Sequence, residues 1–134
     1  MWILIMGYDS MGSHLASTLD RDGHTITILD TNLDRTNTLP EDLRADVIPS
    51  SGSLMEDLRS LGITNVDIAL ALSDDDNKNA MAAQIASHMF HVPDVICRIS
   101  DPQREAFYKG LGLKAVSPTQ LLVDNIQQVL QQKP

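Results

Sequence analysis

The chain has 134 residues, of which 43% are hydrophobic, and this length suits a single domain with one core. Its formal net charge of −8 argues against a nucleic-acid partner, which needs clustered Lys and Arg, and against attachment to an anionic membrane surface. No apolar run approaches the ~20 residues of a membrane span, so we expect no direct membrane insertion, and the single cysteine, Cys97, favours a reducing, cytoplasmic setting.

Short apolar runs alternate with helical patterns along the whole chain. The runs predict strands over 3–7, 24–29, 45–48, 67–72, 95–99 and 114–116. The patterns between them predict helices over 11–21, 33–38, 54–61 and 74–90, a helix that begins at Asp101-Pro102, and a last helix over 118–131. This alternation predicts right-handed βαβ units, and therefore an α/β fold with a doubly wound parallel sheet and helices on both faces.

A glycine-rich motif, Gly7-Tyr8-Asp9-Ser10-Met11-Gly12, follows the first strand and opens the first helix. It matches the dinucleotide-binding fingerprint except that Asp9 replaces the middle glycine. Gly7 permits the tight turn, Gly12 permits close helix packing, and the helix N-terminus offers N–H groups to a phosphate. Asp30 ends the second strand, where it would accept hydrogen bonds from ribose hydroxyls and disfavour the 2′-phosphate of NADP. The motif predicts a Rossmann-like sheet with strand order 3-2-1-4-5-6.

Asp9 puts a negative side chain where a pyrophosphate would lie. Two unit charges ~4 Å apart repel by ~1 kcal/mol in water and by ~4 kcal/mol at an effective dielectric constant of ~20. Three interpretations stay open: Asp9 only tolerates an unusual turn, diphosphate binding has been lost, or a cation bridges the two groups. A ligand with one phosphate would be affected less than a pyrophosphate or a triphosphate.

Charged residues near the fourth and fifth strands have two interpretations each. With Ser73 as a cap, the acidic run over 74–76 complements the dipole of a helix N-terminus, and a cation site is the alternative. Arg98 lies in a strand that is predicted to be buried, and a buried arginine needs a partner. It either pairs with an acid such as Asp74 or Asp101, or it reaches a ligand phosphate.

Two helices carry apolar stripes. On the long helix, Met81, Ile85 and Met89 predict core packing, with a subunit contact as the alternative. On the last helix the stripe consists of Leu122, Ile126, Val129 and Leu130. A terminal helix with such a face must cover another apolar surface.

The fingerprint is one of six motifs that occur in a fixed order and spacing. The other motifs are Ser50-Ser51-Gly52-Ser53, the segment 58–63, Ala71-Leu72-Ser73-Asp74-Asp75-Asp76 with Asn79, the segment 95–99 with Asp101-Pro102, and Gly112 with 116–119. Together they closely resemble the TrkA-type N-terminal domain, which is the nucleotide-binding half of the regulators of K⁺ conductance. The resemblance covers essentially the whole chain, so residues 1–134 are expected to form a single domain of this kind.

The resemblance implies a non-catalytic Rossmann domain that senses NAD(H), ATP/ADP or AMP and signals to a membrane K⁺ channel or transporter. It implies a homodimer, often within a larger ring, in which the helix over 118–131 crosses over to the neighbouring subunit. The location implied is cytoplasmic, on the inner face of the membrane through the transporter. The ligand contacts implied are Gly7, Tyr8, Asp9, Ser10, Met11, Gly12, Asp30, Thr31, Ser51, Gly52, Leu72, Ser73, Asp74 and Arg98.

The chain departs from the family pattern at three places. Asp9 replaces the middle glycine, Ser10 stands where many relatives carry a phosphate-binding arginine, and the segment 50–53 replaces Gly-Asp-Gly-Thr. The first two changes weaken phosphate affinity, which favours AMP or ADP over ATP. One alternative is a degenerate Rossmann dimerisation module that binds no nucleotide. A remote alternative is an NAD-dependent oxidoreductase, but its acid or base usually comes from a second domain, so we predict no enzyme.

Overall fold

The computed structural model describes residues 1–7, 10–30, 39 and 41–133, with the side chain of Ser10 left out. The strands are β1 (Trp2–Met6), β2 (Thr25–Asp30), β3 (Ala45–Pro49), β4 (Ile68–Ala71), β5 (Asp94–Arg98) and β6 (Lys114–Val116). The helices are α1 (Ser10–Arg21), α2 (Leu54–Leu61), α3 (Asp76–Gln84), α4 (Pro102–Gly110) and α5 (Pro118–Gln131). A 3-10 turn (Ile63–Asn65) follows α2, and a π-helical turn (Ile85–Met89) continues α3. The predicted helix over 33–38 lies outside the described residues.

The six strands form one parallel sheet with the order β3-β2-β1-β4-β5-β6. The predicted α/β fold and the Rossmann strand order are therefore confirmed. β1 lies at the centre, where Leu4 pairs with Thr27 of β2 on one side and with Ala69 of β4 on the other. The strand order reverses at this point, and open α/β sheets bind ligands in the crevice at the carboxyl ends of such strands.

The two faces of the sheet carry separate apolar clusters because alternate residues of a strand point to opposite faces. Leu4 and Met6 belong to the cluster under α2, α3 and α4. Ile3 and Ile5 belong to the other cluster, which packs against Ala16 of α1. Each fully buried side chain of this size contributes about 1.5–3 kcal/mol relative to exposure, so these clusters stabilise the central strands from both faces.

The start of α3 corrects one prediction. Asp75, not Ser73, is the N-cap: its carboxylate accepts hydrogen bonds from the backbone N–H groups of Asn77 at 2.9 Å and Lys78 at 3.1 Å. Ser73 is wrong as the cap, although the helix-capping role of the acidic run is confirmed. The predicted stripe of Met81, Ile85 and Met89 is wrong as a core element at its two methionines, which are 54% and 52% exposed, whereas Ile85 does pack against the core.

Helix α5 leaves its apolar stripe exposed. None of its residues is buried, and Leu122 and Ile126 are 61% and 51% exposed. Beside it, an apolar groove of about 450 Å³ lies over β4 and β5 between α1 and the start of α5. Helices thus lie on both faces of the sheet, but the face that carries α1 is open at this groove. No helix in the described part of the chain has the length and apolar character needed to cross a membrane.

Candidate nucleotide-binding crevice

A crevice of about 340 Å³ opens at the carboxyl edge of the sheet. The ends of β1 and β2, the loop that joins β3 to α2, the turn after β4 and the first two turns of α3 line it. Five residues implied as ligand contacts come together there: Gly7, Asp30, Gly52, Ser73 and Asp74. Lys78, Asn79 and Met81 also line the crevice, although none of them is among the contacts that the sequence implied.

Gly7 lies where the turn after β1 packs closely against the turn after β4. Its φ is 84°, in the left-handed region that glycine tolerates. A Cβ atom at this position would lie 2.7 Å from the Cβ of Ser73 and 2.8 Å from its backbone nitrogen. Glycine is therefore required both by the backbone conformation and by the close approach of the neighbouring turn.

Asn79 holds the turn after β4. Its side-chain oxygen accepts hydrogen bonds from the backbone nitrogen of Ser73 at 2.9 Å and from its hydroxyl at 2.7 Å. Its amide nitrogen donates to the carbonyl oxygen of Ser73 at 2.8 Å and to that of Arg98 at 2.9 Å. Asn79 is 2% exposed, so its amide fixes Ser73 from inside the domain and ties β4 to β5.

Asp57 holds the loop that follows β3. Its Oδ2 accepts a hydrogen bond from the Ser50 hydroxyl at 2.9 Å and one from the Ser51 backbone nitrogen at 3.1 Å. Hydrogen bonds from Ser51 and Ser50 hold the pKa of Asp57 below its ordinary value, although desolvation opposes them. Gly52 follows with a φ of 97°, and the carboxylate of Asp57 therefore positions the loop that brings Gly52 to the crevice.

Asp30 lies at the end of β2, where the ribose contact is expected. It is 6% exposed and lines the crevice. Its backbone carbonyl accepts a hydrogen bond from the Ser50 nitrogen at 2.9 Å, while the Gly7 nitrogen donates to Leu29 at 2.9 Å. These backbone bonds place the ends of β1, β2 and β3 side by side at the crevice.

Other residues implied as ligand contacts lie away from the crevice lining. Gly12 is buried within α1, and Ser51 is exposed in the loop held by Asp57. Met11, Leu72 and Arg98 line the apolar groove on the opposite face. The structure therefore does not bring these five residues to the crevice surface.

The remaining implied contacts fall outside the described part of the chain. They are Tyr8, Asp9, Thr31 and the side chain of Ser10.

Lys78 supplies positive charge at the crevice. Among the described residues that line it, the acids are Asp30 and Asp74, and Lys78 is the only cation. The sequence pattern pointed to Arg98 as a phosphate partner and not to Lys78. The available signal was the position of Lys78 in the first turn of a helix that begins at the carboxyl edge of the sheet.

A Rossmann-ordered parallel sheet, a glycine turn after β1 and an acid at the end of β2 define a domain of the dinucleotide-binding fold class. Within that class, the model of the TrkA-N domain family matches residues 3–118, and the chain belongs to this family.

One relative is the Trk system potassium uptake protein TrkA of Streptomyces coelicolor, which is 33% identical over 126 residues. The match covers 94% of the chain but 56% of the relative, so the chain spans about half of that protein's length.

Two solved structures share the fold. A Shewanella denitrificans Kef CTD in an AMP-bound form superimposes with a TM-score of 0.79 at 18% identity, over 99% of this chain and 83% of that one. A GsuK channel bound to NAD superimposes with a TM-score of 0.69 at 24% identity, over 87% of this chain and 21% of that one.

Proposed function

We propose that the chain is a regulatory nucleotide-binding domain of a potassium uptake or efflux system. Its ligand is NAD(H) or an adenine nucleotide, with AMP or ADP favoured over ATP. The observation that carries the proposal is the convergence of Gly7, Asp30 and Ser73 at the switch-point crevice. The family supports it, as do the AMP and NAD in two neighbours of the same fold.

The charges around the crevice favour a ligand with few phosphates. The acids Asp30 and Asp74 outnumber the single cation Lys78 among the described lining residues. The segment 7–12 adds Asp9 and contains no Lys or Arg. Each further phosphate charge therefore meets repulsion, which amounts to about 4 kcal/mol for unit charges ~4 Å apart at an effective dielectric constant of ~20.

Helix α5 offers an exposed apolar surface through which subunits could assemble. We propose that residues 1–134 form one domain and that α5 is its dimerisation element, in a homodimer or a larger ring. The exposed stripe on α5 and the apolar groove beside it support this, because exposed apolar patches mark interaction sites. The assembly would act in the cytoplasm on a membrane K⁺ transporter or channel subunit, to which nucleotide binding is transmitted.

A second candidate is a dimerisation module that binds no nucleotide. Asp9, which replaces the middle glycine of the fingerprint, favours this candidate because its charge would repel a phosphate. Helix α5 and the apolar groove would serve a dimer whether or not a nucleotide binds. An oxidoreductase is disfavoured because the acid or base that exchanges the proton accompanying hydride transfer usually comes from a second domain, and because the relatives carry the name of potassium uptake proteins.

A thermal-shift assay with AMP, ADP, ATP and NADH separates the two candidates. A ligand at 100 times its Kd adds about 2.7 kcal/mol to the free energy of unfolding. We expect AMP or ADP to stabilise the protein and Asp30→Ala to weaken that effect. Asp22→Ala is the matched control, because it removes an exposed acid from the turn after α1. Stability that no nucleotide changes at millimolar concentration would contradict sensing and favour the dimerisation module.

A further inference from the structure

Lys78 is placed so that its side chain belongs to the crevice. It is the third residue of α3, and its backbone N–H is fixed by the Asp75 carboxylate at 3.1 Å. Lys78, Met81 and Ala82 all line the crevice, and their spacing of three and four residues puts them on one face of a helix. Lys78 therefore lies at the exposed rim of the crevice wall, where its ammonium group can reach a ligand.

The surroundings of Lys78 leave its charge available. None of the ion pairs in the described part of the chain includes Lys78. Arg104 of the neighbouring helix α4, in contrast, pairs with Asp76 at 3.8 Å. The Arg104 side chain also donates a hydrogen bond to Asn77. Arg104 is thus committed to structure, whereas Lys78 on the crevice face of α3 is not.

An anionic ligand in this crevice needs a counter-charge. The segment 7–12 has no Lys or Arg, and Arg98 lines the groove on the opposite face of the sheet. Asp30 and Asp74 would repel a phosphate. We propose that Lys78 is the phosphate-binding residue of the crevice and that it replaces the positive charge that the loop after β1 lacks. This inference rests on the proposed function, since it assigns the charge that selects a nucleotide over a nucleoside.

Titration calorimetry with adenosine and AMP tests the assignment. Removing a charge-assisted contact from a partly exposed site is expected to cost about tenfold in affinity. Lys78→Gln should therefore weaken AMP binding about tenfold and leave adenosine binding unchanged. Lys78→Arg keeps the charge and should retain AMP affinity within about threefold. Lys133→Gln is the matched control, because it removes the same charge from an exposed position after α5.

The salt dependence gives a second readout. AMP affinity of the wild-type protein should fall with rising ionic strength, and that of the Lys78→Gln variant should fall less, because exposed charges are screened by salt. Equal losses for adenosine and AMP in Lys78→Gln, or an unchanged AMP affinity, would overturn the role of Lys78 while nucleotide binding itself stands. A wild-type protein that binds neither adenosine nor AMP at millimolar concentration would overturn the proposed function and this inference with it.

Discussion

The Asn79 amide makes four hydrogen bonds beside the crevice, so its removal should be costly. Asn79→Ala takes away the partner of three groups of Ser73 and of the Arg98 carbonyl oxygen. Three of these four groups belong to the backbone, where a buried N–H or C=O without a partner costs free energy comparable to a lost hydrogen bond. Ser73 itself is only half-buried, so water entering from the crevice can replace part of the loss.

The magnitude follows from the four hydrogen bonds. A typical net contribution is about 1 kcal/mol per bond, and partial replacement by water reduces the total to about 3 kcal/mol. Alanine gains a few tenths of a kcal/mol in helix propensity over asparagine, which Asn77→Ala gains equally. We expect Asn79→Ala to unfold about 10 °C below Asn77→Ala, given a specific unfolding entropy of ~2.1 cal/mol/K per residue.

Calorimetric unfolding of both variants at one protein concentration is the assay. Asn77 is the matched control because it is exposed in the same turn of α3, where its side chain accepts a bond from Arg104. AMP affinity should fall in Asn79→Ala as well, since the turn at Ser73 lines the crevice. If the free energy of unfolding of Asn79→Ala lies within about 1 kcal/mol of that of Asn77→Ala, the hydrogen bonds of Asn79 do not stabilise this turn as described.

Three further changes test other parts of the account. Gly7→Ala combines a φ of 84° with a Cβ position 2.7 Å from Ser73, so urea denaturation should show a loss of about 2 kcal/mol or more; unaltered stability would disprove the close approach. Because the folded pKa of Asp57 is lowered from 3.8, its stabilisation is present above pH 3.8 and lost as pH falls through the folded pKa. Asp57→Asn should thus be less stable than wild type at neutral pH and equal to it in strong acid, and a difference that persists there would contradict this. We propose α5 as the dimerisation element, so the double variant Leu122→Arg, Ile126→Arg should be monomeric in light scattering, where the wild-type protein is expected to be dimeric; a variant that stays dimeric would place the interface elsewhere.

The strand order could be predicted from the sequence because few topologies satisfy its constraints. Strand–helix alternation requires right-handed crossovers in a parallel sheet, and the glycine turn identifies the first strand as the switch point.

The bounds of α5 were also predictable. Ser117 caps this helix by accepting a hydrogen bond from the Gln120 nitrogen at 3.1 Å, and Pro118 occupies the first turn.

The orientation of α3 could not be predicted from its apolar pattern. Its buried face consists of Asn79 and small alanines such as Ala82 and Ala83, whereas Met81 and Met89 are exposed. Alanine weighs little in a hydrophobic pattern, so the methionines determined the predicted face and gave the wrong one.

The role of Asn79 could not be predicted either. Its importance depends on the Arg98 carbonyl oxygen, 19 residues away in the sequence. That oxygen becomes a neighbour only when β4 and β5 pair in the sheet. Lys78 lines the crevice and Arg98 lines the groove on the other face of the sheet. This difference likewise depends on the folded arrangement and could not be predicted from the sequence.

The most direct test of nucleotide binding, on which the proposed sensing depends, is a crystal structure of the chain grown with AMP at saturating concentration. The account predicts density for one nucleotide in the crevice, with its ribose against Asp30 and its phosphate between Gly7 and Lys78. AMP bound in the apolar groove beside α5 instead, or a crevice without nucleotide at saturation, would contradict it.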